Sequence, residues 1–305
     1  MPEWLIEHGI GETRAALIDN GEIVEARVRR EGLIPAGSVL EGKLMSVAPR
    51  VTVEAGGEEF LLPRGVSGIS EGRTLRIEVV REALAGTEPW KRGLARLTDE
   101  PVRDAPPLAA GRQDRIEGWE DLLEDARSGF IGFEGGELRI EPTAAMTMID
   151  VDGWLVPDRL SQMAAWAAAL AIRRLDIGGP LGIDFPTLRH KSERRAVDDV
   201  LDAYLPAPFE KTAMNGFGFV QIVRPRARAS LIELAADRPA FEARALLRRA
   251  GQEVGTIGLV AHPAVLRVLE DRRDWIDRLG RQVGGAVHLR PDPKLTMAGG
   301  YAESI

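Results

Sequence analysis

The chain has 305 residues, 44% hydrophobic and 29% charged, with a formal net charge of −7 and no cysteine. Such a balance suits one large or two modest globular domains and excludes a largely disordered chain. It also excludes disulfides, thiolate chemistry and zinc–thiolate sites, and the acidic balance leaves no basic footprint over the whole protein, so any nucleic-acid contact must be local.

The N-terminus, MPEWLIEHGI, carries acids where a secretory leader would carry positive charge, so no export signal is expected and a cytoplasmic location follows. Thr13–Ile18 and Glu22–Val28 read as alternating strands around Asp19-Asn20-Gly21, a hairpin signal. Residues 35–99 hold about five short runs, 37–47, 50–55, 59–63, 74–81 and 93–97, which suit a small closed barrel of the OB type. Residues 100–128 read as a connecting segment, a linker rich in proline, alanine and glycine at 100–113 and then a short acidic helix at Trp119–Ala126.

From about residue 129 the pattern becomes α/β. Strands are expected at 130–133, 137–140, 146–151, 181–185, 217–223, 256–261 and 286–290, and helices at 159–175, 191–205, 240–250 and 263–279. The helix at 159–175 is expected to end on the glycines of Asp176-Ile177-Gly178-Gly179. Its alanine-rich stretch Met163–Ile172 runs into Arg173 and Arg174 and reads as a buried helix; no run is long enough to span a membrane.

Asp150 and Asp184 each close a hydrophobic strand, where functional groups gather in open α/β sheets. Side by side at 4 Å, two carboxylates repel by about 4 kcal/mol at an effective dielectric near 20. A divalent cation removes that penalty and could activate a water. The four histidines make no HxH or HxxxH pair, so the ion would be oxygen-bound, Mg²⁺ or Mn²⁺. Asp152, two residues on, points the same way in an extended segment and could be a third donor. The competing reading makes these aspartates helix caps or turn residues.

Arg224, Arg226 and Arg228 alternate after a strand and could meet successive phosphates, or form a solvated edge. Arg189, in the loop after Asp184, and Lys211, before Phe217, could each face a phosphate or be ordinary surface charges. Phe60 could stack on a base or fill the barrel core.

The segments EPTAAMTMIDVDG (141–153) and RLDIGGPLGIDF (174–185) resemble the catalytic core of the ribonuclease E/G family. So do KTAMNGFGFV (211–220), RPRARASL (224–231), His262–Leu266 and the Pro291–Tyr301 tail, in the same order over about 170 residues. The resemblance implies an RNase H-like catalytic domain, its first strands at 1–34 and its core at 129–305, with an inserted OB-type RNA-binding barrel at 35–99. It further implies a Mg²⁺-dependent endoribonuclease cutting single-stranded RNA to 5′-phosphate and 3′-hydroxyl ends. Asp150 and Asp184 would hold the metal, Asp152 stands where the family has asparagine, and Lys211 falls where it has a basic residue near the active site. Phe60 matches the aromatic used against RNA, and Lys91 and Arg92 match a basic stretch of the barrel.

Several features depart from the family. The segment that senses a 5′-monophosphate is missing, the cysteine pair of the zinc link between subunits is gone, and Ala144 stands for the usual acid. The oligomeric state, monomer or homodimer, stays open. These departures keep a second reading alongside the first, a non-catalytic RNA-binding or regulatory protein.

Overall fold

A computed structural model describes residues 1–84 and 91–305. Strands β1 (Glu3–His8), β2 (Glu12–Asp19) and β3 (Glu22–Arg30) form an antiparallel meander. The β2–β3 turn places Asn20 at φ 50° and Gly21 at φ 84°. Two adjacent left-handed residues match the right-handed twist of a hairpin, which is why Asn-Gly marks it.

Strands β4 (Val39–Ser46), β5 (Thr52–Ala55), β6 (Glu58–Leu61), β7 (Thr74–Arg81) and β8 (Gly93–Leu97) then close a barrel in the order β4-β5-β6-β8-β7. The β6–β8 pair is parallel and the other pairs are antiparallel. Leu44, Val53, Phe60, Ile77 and Val79 fill its interior. Of the 35–99 span expected to form the barrel, residues 85–90 lie outside the described ones.

Beyond the barrel, β9 (Arg112–Gln113) runs parallel to β1, completing a four-stranded sheet β3-β2-β1-β9. These opening strands, expected as the first part of an RNase H-like domain, therefore do not extend the sheet that carries the aspartates. They share its core instead: Ala16, Ile23, Ala26 and Val28 pack in the same cluster as Leu138, Ile149 and Ile183.

The aspartate-bearing sheet follows helix α1 (Trp119–Ser128). It comprises β10 (Phe130–Phe133), β11 (Gly136–Pro142), β12 (Thr147–Gly153), β13 (Gly179–Asp184), β14 (Glu210–Lys211) and β15 (Phe219–Arg224). Its order is β10-β11-β12-β13-β15-β14, and only the β12–β13 pair is parallel. Helices α2 (Pro157–Arg174) and α3 (Lys191–Tyr204) supply the β12–β13 crossover and the following return. Along β11 and β12 burial alternates strictly, with Leu138, Ile140, Ile149 and Val151 buried and Arg139, Glu141, Asp150 and Asp152 exposed. One face is therefore packed and the other open, the period-2 signature of a half-covered sheet.

The alanines of α2 are buried as expected; Ala164, Ala165, Ala168 and Ala169 are fully enclosed. The turn after α2 differs from the expected glycine stop. Asp176, not a glycine, takes the left-handed conformation at φ 53°, and Gly179 already opens β13. Aspartate is among the few residues that tolerate this region, so the stop is legible only in hindsight.

After β15, α4 (Leu231–Ala236) is held by a Ser230–Glu233 capping box, and α5 (Arg238–Ala250), β16 (Ile257–Ala261), α6 (Pro263–Asp271), α7 (Arg273–Val283), β17 (Val287–Pro291) and β18 (Tyr301–Ser304) follow. Strand order β17-β16-β18 and the helices enclose a second core around Trp275, Leu259, Val265 and Leu279. The single helix expected at 263–279 is two, because Arg272 adopts φ −119°, ψ 63°, which breaks the hydrogen-bond ladder. Neither α4 nor β18 is anticipated by the sequence pattern.

A buried ionic network joins this C-terminal unit to the first sheet. Glu7 accepts hydrogen bonds from Arg14 (3.0 Å), from Arg248 (2.7 and 3.0 Å) and from the Ile116 amide (2.9 Å). Among the described residues, no helix is long and apolar enough to cross a membrane.

Candidate active site

The parallel pairing of β12 and β13 sets Asp150 directly opposite Asp184. Neighbouring strands lie about 4.8 Å apart, and residues in register on parallel strands project to the same face. The two carboxylates thus leave the open face side by side, both exposed. The crossover through α2 is what brings residues so distant in sequence into one row.

The row continues on both sides. Arg139 of β11 is the partner of Asp150, Phe130 of β10 the partner of Arg139, and Phe219 of β15 the partner of Asp184. Arg139 bonds Glu141 at 2.8 Å and lies over the Phe130 ring at 5.3 Å, a cation–π arrangement. One cation therefore flanks the acidic pair, a neighbour that sequence reasoning missed. Its only signal was the short Thr143–Met146 turn between the two strands, closed by the Thr143 amide and hydroxyl donating to the Met146 carbonyl (3.0 and 2.6 Å), which fixes the β11–β12 register. Asp152 sits two positions further along the same face, opposite Glu137. Among the described residues, no group of three or more histidine, cysteine, aspartate or glutamate side chains could hold a metal ion. A third protein carboxylate is thus not gathered with Asp150 and Asp184.

Lys211 departs from the expected position. Its register partner is Ile222, fully buried against the helices, so Lys211 points to the packed face. There its side chain is 11% exposed and its ammonium pairs with Asp198 (3.1 Å) and Asp202 (3.3 Å) of α3. The strand alternation, not sequence proximity, decides this.

The arginine triplet lies at the other end of the sheet. Gly179 pairs with Arg224 while Asp184 pairs with Phe219, so five strand positions, roughly 17 Å, separate them. Arg224 donates to the Ile177 carbonyl at 2.8 Å, Arg226 pairs with Glu233, and Arg228 pairs with Asp176 at 2.9 Å. Burial lowers the Arg224 pKa, opposed by the nearby Asp176 and Glu25. These arginines tie β15 to the α2–β13 turn and to α4 rather than forming a free phosphate row beside the aspartates.

Phe60 is a second correction. It is 0% exposed, opposite Val53 inside the barrel, and offers no face to a base. Alternation with its half-buried neighbours Glu59 and Leu61 points it inward. Arg92 stays on the barrel surface, half exposed and 3.2 Å from Glu59. Lys91 lines a cleft of about 180 Å³ with Arg81, Arg226, Pro180 and the Pro142–Thr147 loop that contains Ala144. Arg189 remains exposed in the loop that follows Asp184, at the aspartate end of the sheet.

Two aromatics that sequence reading did not single out also stand at this end. Trp154 follows β12 and Phe217 precedes β15, and both are among the most exposed large side chains.

These features define an open α/β sheet with a register-paired acidic couple, joined to a five-stranded barrel. No family model matches the chain. It is similar to ribonuclease G of Escherichia coli (strain K12), 34% identical over 109 residues, a stretch that makes up 32% of this chain and 22% of that protein. Ribonuclease G of Shigella flexneri and of Salmonella typhimurium (strain SL1344) are similar to the same extent. The matched stretch spans about a fifth of the length of these relatives. The similarity agrees with the resemblance carried by the motifs around Asp150 and Asp184.

Proposed function

We propose that the chain is a divalent-metal-dependent endoribonuclease, related to the ribonuclease E/G family, that cuts single-stranded RNA to 5′-phosphate and 3′-hydroxyl ends. The in-register pairing of Asp150 with Asp184 carries this reading. Two exposed acids in adjacent positions on one face, with no hydrogen bond or ion pair to either carboxylate among the described residues, suit a hard cation better than a packing role.

The donor set fits such an ion. Mg²⁺ is commonly held by one or two carboxylates, its remaining positions going to water and substrate phosphate. Asp150 and Asp184 would hold it, and the bound ion would polarise the phosphodiester and make a water nucleophilic at neutral pH. The chain's own groups do the rest. Arg139 and Arg189 supply positive charge for phosphates on either side of the aspartates. Asp152 adds a negative charge on the same face, which weakens the hold on phosphate. The OB-type barrel, with Arg92 on its surface, offers a second grip on the strand.

The test is cleavage of an unstructured, end-labelled RNA by the purified chain with Mg²⁺ or Mn²⁺. Chelation with EDTA should abolish the reaction. Asp150→Asn and Asp184→Asn should each slow it about a hundredfold or more while melting as the parent does. Cleavage that persists in both variants or in EDTA overturns the proposal. RNA binding without any cleavage would point instead to a non-catalytic RNA-binding protein.

A further inference from the structure

Of the aromatic residues described, the two most exposed are Phe217 at 84% and Trp154 at 80%. Both lie at the aspartate end of the open sheet. Trp154 comes four residues after Asp150, directly beyond β12. Phe217 comes two residues before Phe219, the register partner of Asp184. Left in water, each forgoes the hydrophobic gain of burial that large aromatics normally take.

Neither ring stands on a loose loop. The Asn215 side-chain oxygen accepts from the amides of Phe217 (2.9 Å) and Phe219 (3.1 Å), and the Asn215 amide donates to the Phe219 carbonyl at 3.1 Å. The Phe217 carbonyl accepts from the Thr187 hydroxyl at 3.3 Å, and the Gly218 carbonyl from the Phe185 amide at 3.0 Å. Gly218 itself sits at φ 96°, and a Cβ there would lie 2.2 Å from the Phe185 carbonyl oxygen, so the turn locks onto the end of β13. On the other side, the Trp154 amide donates to the Gly135 carbonyl at 3.0 Å. Rigid backbone beneath an exposed ring is the preorganised arrangement that reduces the entropy lost on binding.

We infer that Phe217 and Trp154 are base-stacking platforms on the two sides of the Asp150–Asp184 pair, and that they select unpaired nucleobases flanking the reacting phosphate. This rests on the proposed RNA substrate. The barrel aromatic that the motif suggested for this task, Phe60, is enclosed, so stacking has moved to the catalytic face. Stacking uses the π-face common to all bases and so favours single strands over duplexes with little sequence preference. Both rings act as binding residues; neither takes part in proton transfer.

The experiment measures binding of a short fluorescent oligoadenylate to the full chain carrying Asp184→Asn, so that the probe stays intact. A matched oligomer with abasic sites serves as the base-free probe. Phe217→Ala and Trp154→Ala should each weaken oligoadenylate binding roughly five- to a hundredfold. Phe217→Trp should keep it, and the abasic oligomer should bind all of these proteins alike. Val254→Ala, equally exposed but in the C-terminal unit, should bind as the parent does. The inference is overturned if the two alanine variants bind oligoadenylate as the parent does, or lose affinity equally for the abasic probe. Cleavage by the parent with unchanged affinities in these variants would sink the platforms and leave the nuclease standing. Base-dependent losses in a chain that never cleaves RNA would do the reverse.

Discussion

Asp152 and Phe60 show how one side chain's direction sets what it can do. Asp152 shares the open face with Asp150 and Asp184 and brings a third negative charge towards any phosphate there. Asp152→Asn should tighten RNA binding severalfold, most at low ionic strength, because charge repulsion between exposed groups is screened by salt. Titration of a labelled RNA at two salt concentrations checks this. Phe60→Ala should act quite differently. The ring is wholly enclosed in the barrel, so its loss should destabilise the fold by about 3–5 kcal/mol, read as a fall in melting temperature. Residual barrel binding should be lost only in proportion to unfolding. For Lys211, bound to Asp198 and Asp202 on the packed face, Lys211→Ala should cost about 1–3 kcal/mol of stability and leave the KM for RNA unchanged.

At the scale of elements, arginines join what the backbone does not. Arg228 faces Asp176 after α2 and lies near Glu82, which directly follows β7 of the barrel. Burial pushes the Glu82 pKa up, against the opposing charges of Arg228, Arg29 and Arg30 and the Ala36 amide. Arg228→Ala should therefore lower stability by about 1–3 kcal/mol at neutral pH. The deficit should shrink in acid, because protonated Glu82 no longer needs the cation. Glu7 behaves oppositely. Burial alone would raise its pKa, but the hydrogen bond from Arg248, the Ile116 amide and the charges of Arg14 and Arg248 outweigh it and hold it below the ordinary glutamate range. A depressed pKa in the folded state stabilises the fold above the unfolded-state value, and that contribution is lost as pH falls through the folded one. Melting temperature should thus fall as pH drops below the usual glutamate range. Glu7→Gln should melt lower at neutral pH and show a flatter acid limb.

Across the whole molecule, a net charge of −7 leaves RNA binding to local cations. Arg139 and Arg189 are exposed beside the aspartates and Arg92 on the barrel, whereas the 224–228 triplet is engaged internally. Three phosphate contacts imply a slope of about −2 for log K against log salt with a single strand. A much steeper slope would mean that further exposed cations of the barrel, such as Arg50, Arg64 and Arg73, also meet RNA. Much of this architecture was legible beforehand because it rests on local rules. Alternation marked the barrel strands, Asn20-Gly21 marked a hairpin, and acids after hydrophobic runs marked Asp150 and Asp184, although only Asp184 ends its strand and β12 continues past Asp150 to Gly153. What failed depended on neighbours remote in sequence. The side on which Lys211 emerges, the internal partners of Arg224, Arg226 and Arg228, and the enclosure of Phe60 are all set by pairing register and by which face of a strand meets a helix or a barrel interior. The amino-acid order by itself determined most of the strands and helices and the two acids that follow hydrophobic runs, since periodicity and turn chemistry act over a few residues. Only the tertiary structure decided that the two acids stand abreast with Arg139 beside them and Trp154 and Phe217 at the rim, because a parallel pair has its register set by the packing of the crossover helix rather than by any turn.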